Sequence, residues 1–331
     1  MTAVVPNHRS ESMPAENLPA TPDPATLSPA VPSVVALLVV HNRLELTQRC
    51  LHALFDSKGS FHLSVVVVDD GSTDGTAAWL AAHQPPLEHV TGNGQLWFGG
   101  GMDLGLRHVR EHFSAANFLL VLNNDTFVYP GSLQAMIEGS QGRHSVAATL
   151  WITDRGIPGT AGFRWHWWRG IEDVCLHSDW RRAFEKREAG FLSVDAVATT
   201  LALHPMQLIR QLRMVSVSWH PHNRYDAAFS ARVREQGGTF LVSQLALADH
   251  EYGNVAARPS LRHASWTKIW NDTLIDRRSV FHFQATVLMI WETAPNRWRA
   301  LPVIARQVLL VGRVVAGKCL LDLLRVLHPS R

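Results

Sequence analysis

The sequence predicts an α/β fold with a mostly parallel central sheet, and three apolar segments carry that expectation. Val34–Val40 (VVALLVV), Ser64–Asp70 (SVVVVDD) and Asn117–Asp125 (NFLLVLNND) are near-continuous apolar runs of strand length. Such runs mark strands buried on both faces. Helix-like stretches separate them, and this alternation builds parallel βαβ units. In such sheets ligands gather beyond the carboxyl ends of the strands. All three runs lead into polar clusters at that end: HNR at 41–43, DDGSTD at 69–74 and NND at 123–125.

Along the chain, residues 1–32 carry prolines at 6, 14, 19, 22, 24, 29 and 32. They bury too little to order themselves, so a disordered leader is expected. The first strand leads to a helix over Glu45–Phe55, with Leu46, Cys50, Ala53 and Leu54 on one stripe. Thr76–Ala82 opens a second helix after a sharp turn. Gly92–Gly101 (GNGQLWFGGG) reads as a glycine loop, followed by a short helix over Met102–Glu111. Beyond it come a Trp-rich stretch (Arg164–Gly170), a charged DWRRAFEKRE, the segment Val194–Pro205, a helix over Tyr225–Gln236, a strand GTFLVSQLAL and DHEYG. The expected division is 1–32 leader, 33–255 α/β domain in two halves (33–137 and 138–255), and 256–331 helical C-terminal region. No internal repeat is visible.

With 46% hydrophobic and 18% charged residues among 331, a sizeable core is available and global disorder is excluded. The net charge of +3 is too small to argue for a nucleic-acid partner. Cys50, Cys175 and Cys319 fit neither a disulfide framework nor a zinc spacing, so a reduced cytosolic compartment is expected. No secretory apolar segment follows the start, and no charge-free apolar run reaches the ~18 residues of a spanning helix, so the chain is expected to be soluble or peripheral. Trp97 occupies the third glycine's place of a GxGxxG pattern, and no GK[ST] exists for a P-loop.

VVHNR (39–43), VVVVDDGSTDGT (65–76) and LVLNNDT (120–126) resemble the three ordered signatures of family-2 glycosyltransferases of the GT-A fold, roughly VxYNR, VVDDGSTDGT and LNxDT. The likeness is to bacterial polysaccharide and rhamnosyltransferase-like members. It covers 34–137 well and 190–253 more loosely. The resemblance implies an enzyme that moves a hexosyl or deoxyhexosyl group, with inversion, from a nucleotide-diphosphate sugar donor to a saccharide or lipid-linked acceptor. The setting would be cell-envelope or exopolysaccharide synthesis.

By that resemblance Val39, His41, Asn42 and Asp70 hold the nucleotide, and His41 stands where the family has Tyr. A strand-end carboxylate such as Asp70 is a rigid acceptor for base and ribose donors, whereas Ser72 and Asp74 read as turn and helix-cap residues. Gly92, Gly94 and Gly100 belong to the loop under the diphosphate, where missing side chains let backbone N–H groups approach phosphate. The same glycines also fit a simple turn.

Asn123 takes the first position of the family's DxD motif, leaving Asp125 as its carboxylate for a divalent metal, Mn²⁺ or Mg²⁺. His250 would be the second ligand, with Asp249 and Glu251 as rivals beside it. Carboxylate plus imidazole suits Mn²⁺ somewhat better.

An inverting transfer needs a base. The family's EDxD-like pattern, aligned on RVREQGG, puts Asp226 there, with Tyr225 and Ala228 in place of the flanking acids. Asp226 would otherwise cap the helix it starts, and Asp195 is the reserve carboxylate. The two missing acids also leave open a non-catalytic nucleotide-sugar-binding relative or scaffold that has lost its base.

In the tail, residues 300–327 are apolar and helix-forming, and Arg299, Arg306 and Arg313 stand seven apart, on one stripe. That pattern fits a helix in the membrane interface, on the inner face of the plasma membrane, and also a helix packed on the domain or in a dimer. Trp165, Trp167 and Trp168 fit a sugar face, a membrane interface or core packing.

Overall fold

The computed structural model describes residues 31–327 except 58, 84–86, 141–142, 153–156, 161, 174–189, 223, 252–263 and 280. The expected leader up to residue 30, the segment DWRRAFEKRE and Cys175 lie outside the described residues.

In chain order the strands are β1 (Ser33–Val40), β2 (His62–Asp69), β3 (Leu87–Thr91), β4 (Phe118–Leu122), β5 (Thr126–Val128), β6 (His144–Ile152), β7 (Ile157–Thr160), β8 (Phe163–His166), β9 (Gly170–Asp173), β10 (Phe191–Val194), β11 (Leu201–Pro205) and β12 (Thr239–His250). The helices are α1 (Leu44–Asp56), α2 (Thr76–Ala82), α3 (Trp97–His112), α4 (Ser132–Gly139), α5 (Met206–Ile209), α6 (Tyr225–Glu235), α7 (Trp266–Trp270), α8 (Phe283–Thr293) and α9 (Arg297–Leu327). A π-helical turn, Asn271–Ile275, continues α7.

The main sheet runs β10-β12-β6-β11-β4-β1-β2-β3. The block β4-β1-β2-β3 is parallel, as the apolar runs predict, and β12 pairs parallel with β6. β11 enters antiparallel between β4 and β6. Both faces are covered. Val35, Leu37, Val66 and Val68 pack with α3 and α6 on one side, and Ala36, Leu38, Val65 and Val67 pack with α1 and α4 on the other. Period-2 alternation within one apolar strand feeds both cores. β8 and β9 form a separate hairpin.

One element differs from the sequence expectation. The segment read as a loop up to Gly101 is already helical from Trp97, and Gly99, Gly100 and Gly101 are buried in the first turns of α3. Their task is close approach. A Cβ on Gly101 would lie 2.4 Å from Val39 Cγ1, and one on Gly105 2.4 Å from a Leu37 methyl. Glycine here lets a helix settle onto strands that carry large side chains. A glycine cluster reads as a loop from sequence because local propensity opposes helix, and tertiary packing overrides it.

Candidate active site at the carboxyl ends of the strands

Two successive residues after β1 adopt left-handed conformations, Asn42 (φ 59°) and Arg43 (φ 62°). For non-glycine residues this costs about 1–2 kcal/mol each. Hydrogen bonds hold the bend. Asn42 donates its N–H to Ser72 Oγ (2.7 Å), and its Oδ1 accepts the Thr73 N–H (2.8 Å). His41 donates Nδ1–H to the Asp70 carbonyl (2.6 Å), which fixes the proton on that nitrogen. Asp74 takes the Leu44 N–H at the start of α1 and the Thr76 N–H and hydroxyl at the start of α2. The Thr76 bond holds its carboxyl below the usual range. HNR and DDGSTD are thereby one hydrogen-bonded unit.

The Asp70 carboxylate faces the chain's own glycine loop. Oδ1 accepts the Gly94 N–H (2.8 Å) and Oδ2 the Trp97 N–H (2.9 Å). Asp70 therefore pins the turn that leads into α3, and Gly92 sits so near that an added Cβ would meet Asp70 Oδ1 at 2.7 Å. Val39, below this turn, packs on Gly101, and Gly100 lies inside α3 rather than in the loop.

The NND cluster follows β4. The Asn123 N–H goes to the Thr200 carbonyl (3.0 Å), and the Asn123 carbonyl accepts the Cys50 thiol (3.4 Å). Burial pushes that thiol up to about 12, so it stays protonated and serves packing. Asn124 turns inward to Thr47 Oγ1 (3.0 Å). Asp125 turns outward, with Oδ1 3.1 Å from His250 Nε2 and Oδ2 3.3 Å from Arg43 Nη1. β12 pairs antiparallel with β5 and sets His250 opposite Thr126. The rivals of His250 are engaged elsewhere. Asp249 accepts the Tyr129 hydroxyl (2.7 Å), and Glu251 pairs with Arg49 (2.9 Å). Hard carboxylate oxygen beside an imidazole is a donor set that fits Mn²⁺ or Mg²⁺. Among the described residues no group of three or more His, Cys, Asp or Glu gathers, here or elsewhere.

Asp226 stands in the first turn of α6, yet no side chain caps that turn. Its Oδ1 accepts the hydroxyl and the N–H (3.3 Å) of Thr199 instead. Burial raises its pKa and the Thr199 bonds partly oppose that rise. His222 lies near; burial lowers its pKa and the charge of Asp226 partly opposes that. Its ring makes edge contacts with Trp97 and Phe98 (6.5 Å each). Tyr225, where the family pattern has an acid, is buried and packs on Phe98 (5.4 Å). Asp195 is not a partner of Asp226. Its Oδ2 accepts the Trp165 N–H (2.6 Å), which ties it to the β8–β9 hairpin.

The structure thus joins Asp70, Asn123, Asp125 and His250 at one rim. Thr199 and Thr200 connect Asp226 to Asn123, while Pro221 accepts the Gly99 N–H (2.8 Å) and so ties the segment before α6 to the start of α3. Sequence reasoning missed Arg43 as the partner of Asp125, Thr199 as the partner of Asp226, and Trp97, whose exposed ring lies under the Arg278 guanidinium (4.6 Å). Arg43 was the third letter of HNR, and both threonines lay in VDAVATT, but neither long-range partner leaves a local signal.

C-terminal elements brace this rim. Arg232 of α6 donates to Glu292 Oε1 (2.5 Å), and His220 Nε2–H donates to Oε2 (3.2 Å). Arg224 donates to the Ser279 carbonyl (2.9 Å) and Thr286 Oγ1 (2.7 Å), and Arg234 to the Thr293 carbonyl. Trp165 packs against Ile290, Ala300 and Val303, whereas Trp167 and Trp168 are exposed.

The description glycosyl transferase family 2 matches residues 36–192. No curated protein matches the chain in sequence. Similar solved structures include GalNAc-T7 with UDP, GalNAc and Mn²⁺ (TM-score 0.58, 11% identity, 85% of this chain and 58% of that one). They also include S. aureus TarS 1–349 with UDP-GlcNAc (0.51, 14%, 83% and 71%). A third is the mannosyltransferase PcManGT from Pyrobaculum calidifontis with GDP-Man and Mn²⁺ (0.52, 15%, 92% and 82%). The chain spans 58% of the length of the first of these, and at such identities the likeness is one of fold. The three strand-end motifs, the sheet and the family match agree: residues 36–192 are those of a glycosyl transferase family 2 domain in sequence pattern, and the chain takes the GT-A fold.

Proposed function

We propose that the chain is an inverting glycosyltransferase that moves a hexosyl or deoxyhexosyl group from a nucleotide-diphosphate donor to a saccharide or lipid-linked acceptor. Its setting is cell-envelope or exopolysaccharide synthesis on the cytoplasmic face of the plasma membrane, with peripheral membrane contact through the C-terminal helix. One observation carries the catalytic part: Thr199 and Thr200 connect the carboxylate of Asp226 to Asn123, two residues before the Asp125 that meets His250.

In this reading Val39, His41, Asn42 and Asp70 shape the nucleotide pocket, and Asp70 holds Gly94 and Trp97 so that the loop from Gly92 runs beneath the diphosphate. Asp125 and His250 hold Mn²⁺ or Mg²⁺, which when bound neutralises charge on the diphosphate leaving group. Asp226 takes the proton from the acceptor hydroxyl. The acceptor oxygen then forms its bond to the anomeric carbon from the face opposite the leaving group, and the bond to the diphosphate oxygen breaks with the electron pair. A carboxyl held above its ordinary pKa is the stronger base for this step.

A thermal-shift screen of nucleotide sugars with Mn²⁺, paired with a transfer assay, tests the proposal. One donor class should raise Tm by mass action and support transfer. Donor binding without transfer to any saccharide or lipid-linked acceptor would instead favour a non-catalytic relative.

A further inference from the structure

Helix α9 is inside out for a helix bathed in water. Lys318, a charged residue, is only 4% exposed, with its ammonium on Asp322 (2.9 Å) and 5.9 Å from the Trp266 ring. The side facing away from the domain is apolar: Trp298 is 82% exposed and Leu309 61%, with Leu301, Val308 and Leu320 close behind. At about 100° per residue these five positions fall on one stripe. Arg299, Arg306 and Arg313, seven apart, run along one border of that stripe, next to Leu309 and Leu320. The seated side is the opposite one: Ala300 and Val303 in the first turns are buried against Ile290 and Trp165, and Trp266 donates to Asp322 farther along.

By length and composition Arg297–Leu320 suffices to cross a membrane. Its charges argue for a different orientation. Arg306 and Arg313 fall in the middle of the apolar stretch, where a spanning helix would bring them to the centre of the hydrocarbon. Lying flat, the same helix would place the stripe among acyl chains, Trp298 at the boundary and the arginines level with phosphates. The arginine row is the charge complement of an anionic lipid surface and has no such role against an identical copy of the stripe.

We infer that α9 lies in the plane of an anionic bilayer, with its Trp298–Leu301–Val308–Leu309–Leu320 stripe inserted and Arg299, Arg306 and Arg313 on the head-group phosphates. This deepens the membrane contact named under the proposed function and rests on that reading. Through α8, which packs on both α9 and α6, the docked surface holds Asp226 at a set height above the lipid.

The test is flotation of the full chain with vesicles of phosphatidylcholine containing about a quarter phosphatidylglycerol, or of phosphatidylcholine alone, at low salt. Binding to the anionic vesicles should exceed binding to the neutral ones about tenfold or more. Leu309→Asp should abolish it, and the triple change Arg299→Gln, Arg306→Gln, Arg313→Gln should abolish the preference for anionic lipid. Bromine placed shallow in the acyl chains should quench wild-type fluorescence more than bromine placed deep, and Trp298→Phe should remove the difference. Resistance to carbonate extraction with deep quenching would mean a spanning helix and overturn the proposal. Absence of vesicle binding would overturn it too, as would a Leu309→Asp variant that splits a dimer and leaves vesicle binding intact. Donor-induced Tm shifts measured on the same samples separate the two questions: lost flotation with donor binding kept defeats only the docking surface, and the reverse defeats only the enzymatic assignment.

Discussion

Thr199 donates both its hydroxyl and its backbone N–H to one oxygen of Asp226, across the gap between β11 and α6. Burial and these two bonds act on the carboxyl in opposite directions, and burial wins. The carboxylate proposed as the base is thereby tied, through the neighbouring Thr200 carbonyl that accepts the Asn123 N–H, to the end of β4.

Asp226→Asn keeps the shape and removes proton acceptance. Transfer should fall about 10²-fold or more with donor affinity nearly unchanged. Stability should move the other way. Because the folded pKa is raised above the unfolded value of about 3.9, the fold favours the neutral form, and ionisation costs stability as pH rises through the folded pKa. The Asn variant should therefore melt at or above the wild-type temperature at pH 7, with the gap closing as pH falls toward 4. An Asp226→Asn protein as active as wild type, beside a dead Asp195→Asn protein, would move the base to Asp195.

Thr199→Val removes a bond that lowers the Asp226 pKa, so the acid limb of the kcat profile should shift to higher pH. An unchanged limb would mean that another group sets it.

The parallel strands and their polar ends were legible because buried strands and strand-end motifs are local patterns. The apolar runs place β1 and β2 within two residues and β4 within three, its polar end lying past the strand, and HNR, DDGSTD and NND lie where those strands stop. Three features were not legible. Gly99–Gly101 read as loop because the demand for close packing on Val39 comes from a strand some 60 residues away in sequence. Arg43 gave no sign of reaching Asp125, nor Thr199 of reaching Asp226, since each bond joins residues far apart in the chain. The antiparallel insertion of β11 between β4 and β6 likewise depends on tertiary pairing that period-2 patterning does not encode.

The metal assignment makes its own demand. Transfer should stop in EDTA and return with Mn²⁺. Asp125→Ala and His250→Ala should each lose the Mn²⁺-dependent part of donor binding while keeping a cooperative melt. Full activity in EDTA would remove Asp125 and His250 from metal binding.

Gly101→Ala tests the contact between α3 and β1. Its methyl would stand 2.4 Å from Val39 Cγ1, so overpacking should cost about 1–3 kcal/mol in denaturant unfolding. Val39→Ala alone should cost a cavity, and the double variant Gly101→Ala with Val39→Ala should be more stable than the two single costs added. Strict additivity would mean that the two side chains do not share this space.

Glu292 reaches two parts of the site at once: Arg232 on the helix of Asp226, and His220, whose neighbour Pro221 holds the Gly99 N–H. Burial pushes the Glu292 carboxyl up, but His220 and Arg232 outweigh it and hold the pKa below the ordinary range. That stabilisation is present above the unfolded value of about 4.3 and is lost as pH falls through the folded pKa. Glu292→Ala leaves the Arg232 guanidinium buried with, among the described residues, only Glu235 to pair it, so a loss of about 3 kcal/mol is expected at pH 7. The loss should shrink in acid. If Glu292 positions the base, kcat should fall well beyond any change in donor affinity, and Glu292→Gln, whose Oε1 still accepts from Arg232 and whose amide N–H can donate to the other tautomer of His220, should recover much of it. A Glu292→Ala protein that is destabilised yet keeps its kcat at a temperature where it is fully folded would reduce Glu292 to a packing role and detach α8 from catalysis.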